Sequence, residues 1–291
     1  MRLEALLKAT ARRLGIPYET VLKDYSIGHL LAALAAEPAL ASHLVMKGGT
    51  ALRALYFADY RFSEDLDFSA EGGPRGDLLE ATFRLVAVRA QSTLSETGPT
   101  QVTLDRAAHR DPHPHGQEDF VFRTQFSWQR QPLCMVKVEV TVDEPIALPA
   151  AARPILQGYG DAFAGTIRVY SLEEIVAEKL RALLQNEARR GVRRWIRPRC
   201  RDVYDLWYIL SKAPAGFMFA EVRRILPSKC ALRGVAFARA DDFLPAPLLE
   251  IVRSAWDDDL GHLVPDLPDV DNVIVTLREQ VNRLMGSTVW P

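Results

Sequence analysis

Asp65 and Asp67 stand two residues apart in Ser63-Glu64-Asp65-Leu66-Asp67-Phe68, a short way downstream of Lys47-Gly48-Gly49-Thr50. If the acidic stretch is a strand, both carboxylates project from one face while Leu66 and Phe68 project from the other. Like charges at that range repel unless a cation neutralises them. Magnesium suits the task, because it takes one or two protein carboxylates and completes its shell with water and substrate phosphates. The apolar run Leu44-Val45-Met46, closed by paired glycines, reads as a short strand feeding a tight turn where backbone can approach a ligand closely. Ala51 to Phe57 then offers one or two helical turns, whose first amides point at whatever the glycines admit. Taken singly, each half also reads as a solvated acidic turn or a structural glycine turn. In this order and spacing they read as a cradle for a nucleoside triphosphate and its metal.

Lys47-Gly48-Gly49-Thr50 followed by Arg61-Phe62-Ser63-Glu64-Asp65-Leu66-Asp67-Phe68 resembles the signature of AbiEii/AbiGii-type nucleotidyltransferase toxins. That family includes the MenT-type toxins and belongs to the polymerase-β-like nucleotidyltransferase superfamily. Two shorter pieces downstream are similar to family elements. Glu178-Lys179-Leu180-Arg181-Ala182 is one; Arg201-Asp202-Val203-Tyr204-Asp205-Leu206 matches an Arg-x-Lys-Asp-x-x-Asp-Leu element. In the second, Cys200-Arg201 stands where the family often has a lysine before the aspartate, so the charge survives and the residue type does not.

The elements that must position these residues follow from periodicity. Arg2 to Leu14 and Tyr25 to Ala36 carry helical spacing, and Asp77 to Ser95 reads as a long helix with Leu78, Leu79, Phe83, Val86 and Leu94 along it. Residues 100–142 change period and read as strands at 102–104, 120–128 and 134–142. In the last, Val136, Val138 and Val140 alternate with Lys137, Glu139 and Thr141. Glu139 is either an ordinary half-exposed strand residue or, as the resemblance implies, a third carboxylate assisting the metal and the attacking hydroxyl. His109, His113 and His115 lie in a Pro-broken stretch that reads as a solvated loop. Residues 143–170 are rich in Pro and Gly and carry the boundary between residues 1–165 and 166–291. Ser171 with Glu174 reads as a capping box opening a helix to about Leu184. Lys179 falls on its apolar side, where a lysine usually snorkels to solvent; the resemblance instead directs it to the triphosphate. Residues 217–226, 248–257 and 270–284 read as further helices.

Seven arginines fall in the fourteen residues from Ala188 to Arg201, around Trp195. Arg189, Arg190, Arg193, Arg194, Arg197 and Arg199 suit phosphate contacts, with the tryptophan available to a base; pairing with acidic neighbours is the alternative. The net charge of −1 exerts no global pull toward nucleic acid. Cys134, Cys200 and Cys230 are three in number and far apart, which suggests neither a disulfide framework nor a zinc motif. No signal peptide and no membrane-spanning run is apparent, so the expected location is cytoplasmic.

The resemblance implies a bilobed α/β (α+β) protein, with a mixed-sheet nucleotidyltransferase lobe and a mainly helical C-terminal lobe. It implies a toxin of a toxin–antitoxin pair that moves a nucleoside monophosphate from NTP, a pyrimidine such as CTP, to the 3′ end of tRNA. The cofactor would be Mg²⁺, held by Asp65, Asp67 and Glu139. Lys47, Gly48, Gly49, Thr50, Arg61 and Ser63 would bind nucleotide, and Lys179 would offset phosphate charge with Asp202 holding it. In some relatives the antitoxin phosphorylates a serine of the signature, for which Ser63 is the position here. A protein hydroxyl as acceptor, or a non-catalytic NTP-binding module, are the alternatives.

Overall fold

The structure is a computed structural model describing residues 3–107, 116–132, 134–156, 158–190 and 197–286. The chain forms two compact units: Met1–Tyr170 with Leu263–Pro265, and Ser171–His262 with Asp266–Pro291.

The first unit opens with helices α1 (Leu3–Leu14), α2 (Tyr18–Ala35) and α3 (Pro38–Ala41). Helix α2 starts seven residues before the expected Tyr25. Pro17 is its N-cap, and Val21 and Leu22 extend the buried stripe by one more turn. Strand β1 (Leu44–Lys47) runs directly into α4 (Gly48–Ala51), which widens into a π turn over Leu52–Tyr56. The glycines thus form the first turn of the helix, where the sequence suggests a turn ahead of it. Next come β2 (Leu66–Ala70), α5 (Gly76–Ser95), β3 (Thr100–Ala107), β4 (Gln117–Phe126), β5 (Cys134–Thr141), β6 (Ala151–Pro154) and β7 (Thr166–Val169). The last two lie in the Pro- and Gly-rich stretch 143–170, where the sequence places the boundary between the two parts and signals no strand. The histidines at 109, 113 and 115 fall outside the described residues.

Among the described residues, seven strands join one mixed sheet in the order β3-β4-β5-β2-β1-β7-β6. β1 pairs antiparallel with β2 and parallel with β7, while β2 pairs parallel with β5. One sheet face is apolar: Met46, Phe68, Val138, Val140, Phe120 and Phe122 are all buried. Phe83 of α5 meets Phe120 at 4.9 Å and Phe122 at 5.9 Å between ring centroids. Each such ring withdrawn from water stabilises the fold by about 1.5–3 kcal/mol, which fixes which face is left for polar residues.

The second unit holds α6 (Leu172–Ala188), α7 (Cys200–Ser211), α8 (Phe219–Ala231), α9 (Ala246–Leu260) and α10 (Val270–Met285). Ser171 caps α6 by accepting the Glu174 amide at 3.2 Å. Helix α8 continues through Pro227, although proline removes a backbone donor and favours a stop near Leu226. Its final turn is held by Lys229, whose buried ammonium pairs with Glu174 at 2.6 Å and Glu178 at 2.9 Å. Among the described residues no helix is long and apolar enough to cross a membrane.

Candidate functional site

Strand register gathers the first unit's polar residues into a row. Lys47 of β1 is the register partner of Asp67 on β2, and Asp67 is the partner of Glu139 on β5. Asp119 of β4 lies opposite Glu139. Register partners project to the same side of a sheet, so Lys47, Asp67, Glu139 and Asp119 share the face opposite the buried phenylalanines. Asp65 is one residue ahead of β2. Its backbone carbonyl accepts the hydroxyl of Thr50, which ties the acidic stretch to the glycine turn.

The glycines are needed for close approach. Gly48 has φ +78°, and a Cβ there would overlap Asp67 Oδ2. A Cβ on Gly49 would sit 2.6 Å from Arg61 Nη2 and 3.0 Å from Ser63 Oγ. One turn of backbone is thereby pressed against a carboxylate on one side and a guanidinium and a hydroxyl on the other. The segment carrying Arg61 and Ser63 is braced from several directions. Arg53 donates to the Tyr60 carbonyl at 2.6 Å and lies 3.7 Å over the Phe62 ring. The Phe62 amide donates to the Leu263 carbonyl at 2.8 Å. Arg61 is itself buried and donates to the Phe62 carbonyl at 3.0 Å, so its charge is fixed in place.

The neighbouring charges are partly engaged. Lys47 pairs with Glu144 and donates to Thr141 at 3.3 Å. Lys137 pairs with Glu139 and stands 3.6 Å from Asp119. Asp119, which the sequence reading passes over, is buried and accepts from Gln117 at 2.7 Å. Alternation along β4 signals which face it takes, though not which residue it stands beside. Asp65 is exposed as a residue, yet its carboxyl is crowded enough that lost hydration holds it above the usual aspartate value. Glu64 and Glu139 add to that rise, and Lys23 and Lys137 oppose it. An anionic site of this kind gains from a divalent cation. Among the described residues no group of three or more His, Cys, Asp or Glu side chains is gathered to hold a metal. The Asp67 carboxylate beside the glycine turn, with Asp65 two residues before it in the chain, fits the sparse protein ligation of magnesium, which leaves most positions to water and phosphate.

In the second unit, Lys179 of α6 does not run to solvent. It is 8% exposed and pairs with Asp202 at 3.1 Å and Asp205 at 2.5 Å. The two aspartates lie three residues apart on one face of α7, the spacing that lets both meet one cation. Arg199, in the left-handed conformation at φ 64°, donates to the other oxygen of Asp202 at 3.0 Å. Burial alone would lift the Asp202 carboxyl; Lys179 and Arg199 outweigh it and hold it below the usual value. In the arginine stretch, Arg190 pairs with Glu187 at 2.6 Å and the Arg197 carbonyl accepts from Asn186 at 3.2 Å. Arg190 and Arg199 are thus tied to acidic neighbours, whereas Arg193, Arg194 and Trp195 lie outside the described residues. Lys229 has no sequence signal; only the packing of α8 on α6 brings it to Glu174 and Glu178.

The family model described as nucleotidyl transferase AbiEii toxin, type IV toxin–antitoxin system, matches residues 29–279, from within α2 to within α10. No curated protein matches the chain.

Proposed function

This chain belongs to the AbiEii nucleotidyl transferase toxin family of type IV toxin–antitoxin systems, and from that membership we propose an Mg²⁺-dependent transfer of a nucleoside monophosphate from NTP to the 3′ end of tRNA. The donor would be a pyrimidine nucleotide such as CTP. Such transfer would block aminoacylation and so halt translation, with a cognate antitoxin as the counterpart.

The observation that carries this reading is the collision map of the two glycines, with Asp67 at Gly48 and Arg61 with Ser63 at Gly49. Bare backbone between an acidic and a basic group suits a polyphosphate that must contact amides, a cation and a guanidinium at once. The acceptor hydroxyl oxygen attacks the α-phosphorus, the bond to the bridging oxygen breaks, and pyrophosphate leaves in line. Asp65 and Asp67 would hold the magnesium, which supplies neutralisation of the triphosphate when bound. Lys47, Gly48, Gly49, Thr50, Arg61 and Ser63 orient the phosphates, and Glu139 assists removal of the hydroxyl proton. The family resemblance assigns Lys179 to phosphate charge, with Asp202 fixing its ammonium. Work of this type is done by positioning and electrostatics.

The test is incubation with each α-labelled NTP and bulk tRNA, with and without Mg²⁺, for the unaltered chain, Asp65→Ala and Asp67→Ala. Label in tRNA that needs Mg²⁺ and disappears in both variants is expected. Unchanged transfer by Asp65→Ala overturns the proposal. Label in protein selects a protein hydroxyl as acceptor, and NTP binding without pyrophosphate release selects a non-catalytic module.

A further inference from the structure

Leu78, Leu85 and Val88 on α5 are 66%, 57% and 68% exposed. With Ala81, also exposed, they fall at i, i+3, i+7 and i+10, the a/d spacing of a heptad seam. Leu79, Phe83, Val86 and Ala90 of the same helix are buried, so the ridge faces away from the sheet. Single exposed aliphatics are ordinary on a protein surface. Three aligned on one helix are not, and such a patch marks an interaction surface.

We propose that this ridge is a self-association surface, on which a second copy of the chain docks its own α5 antiparallel about a two-fold axis at Ala81. In that register Leu78 of each copy packs against Leu85 of the other. Ala81 meets its own equivalent, and the small side chain at the crossing lets the helices approach closely. The charges select the direction. Asp77, Glu80 and Arg84 occupy one flank of the ridge, with Arg84 donating to Glu80 at 2.5 Å and Asp77 largely open to solvent beside Arg106. Antiparallel docking brings Asp77 and Glu80 of one copy to Arg84 of the second. Parallel docking would set Arg84 against Arg89 of the second copy, and like charges across a seam repel. The contact is isologous, as closed two-fold assemblies require. A ridge of about three turns covers less than the ~800 Å² per partner of a standard interface, so the dimer is weak and concentration-dependent.

Sedimentation of the full chain over a wide concentration range, alongside Leu85→Glu and Ala81→Cys, tests the proposal. The unaltered chain is expected to move from monomer toward dimer. Leu85→Glu, at an exposed position that leaves the circular dichroism spectrum unchanged, should raise the dissociation constant by about 100-fold or more, because each dimer would bury two unpaired carboxylates. Ala81→Cys should form a covalent dimer on mild oxidation, while Ser95→Cys on the same helix should not; the native cysteines are buried and do not compete. A monomer at every concentration with Ala81→Cys uncrosslinked overturns the proposal and leaves the ridge to a different protein. A dimer that survives Leu85→Glu also overturns it.

Discussion

Gly48 and Gly15 form a matched pair for asking whether the glycine turn serves chemistry or only backbone shape. Both are left-handed, at φ +78° and +64°, and both belong to the first unit. An alanine at either position carries a strain of about 1–2 kcal/mol, which for a chain of this size lowers the melting temperature by roughly 2–8 °C. They differ in what the added methyl meets. Around Gly15 nothing lies within 4 Å, whereas at Gly48 the methyl would overlap Asp67 Oδ2 and lie 3.3 Å from its Cγ. Gly48→Ala must therefore swing the carboxylate out of its position beside the turn. A displacement near 1 Å in a reacting constellation costs about 10²-fold in rate. The assay is thermal unfolding of both variants, followed by initial rates of label transfer at a temperature where both are folded. Similar melting losses with a rate deficit confined to Gly48→Ala are expected. Equal rates for the two variants would refute the argument that Gly48 is there to admit Asp67.

Three further outcomes follow from the same structure. Lys229→Met leaves the fully buried Glu174 and its neighbour Glu178 without their ammonium; removing one partner of a buried pair costs about 3–5 kcal/mol, readable as faster hydrogen exchange in α6 and α8. Adding Glu174→Gln and Glu178→Gln should restore much of that loss, and a single variant as stable as the parent would count against the pairing. The stabilisation from the depressed Asp202 carboxyl is present above the unfolded value of 3.8 and is lost as pH falls through the lower folded value. Lys179→Ala should move the acid unfolding of the second unit to higher pH, and an unmoved titration by circular dichroism would contradict the charge balance described for Asp202. Ser63→Glu should abolish transfer, because a carboxylate beside Gly49 and two residues from Asp65 repels a triphosphate; Ser63→Ala should fold and melt like the parent, and full activity in Ser63→Glu would remove the serine from the phosphate path.

Much of the architecture was legible because burial imposes a period. The stripe in α5 predicts a helix from Asp77 to Ser95, and the helix begins one residue earlier, at Gly76. The alternating valines of β5 placed Glu139 on the polar face, which the register with Asp67 then bears out. Where the period is absent, so is the signal. Ala151–Pro154 has no apolar alternation and contains a proline, yet it forms β6 because the neighbouring β7 presents unpaired backbone groups to it. Pro227 argues locally for a helix end, and the buried pairs of Lys229, contacts with no sequence neighbourhood, override it. In the site, residue types fixed the glycines and aspartates as companions. Only the register could add Asp119 to their row, since its partner Glu139 stands twenty positions away in the chain.

The three residues Leu263–Pro265 have a practical consequence for anyone dividing the molecule. They arrive from the far end of the polypeptide to complete the first unit, bury Leu263 and Val264 there, and supply the acceptor for the Phe62 amide just ahead of Ser63. A gene cut after Tyr170 would therefore encode a fragment lacking a plug and an acceptor at the base of its own acidic loop. Any expression scheme for that half must graft the tripeptide back, or supply the remainder of the polypeptide in trans.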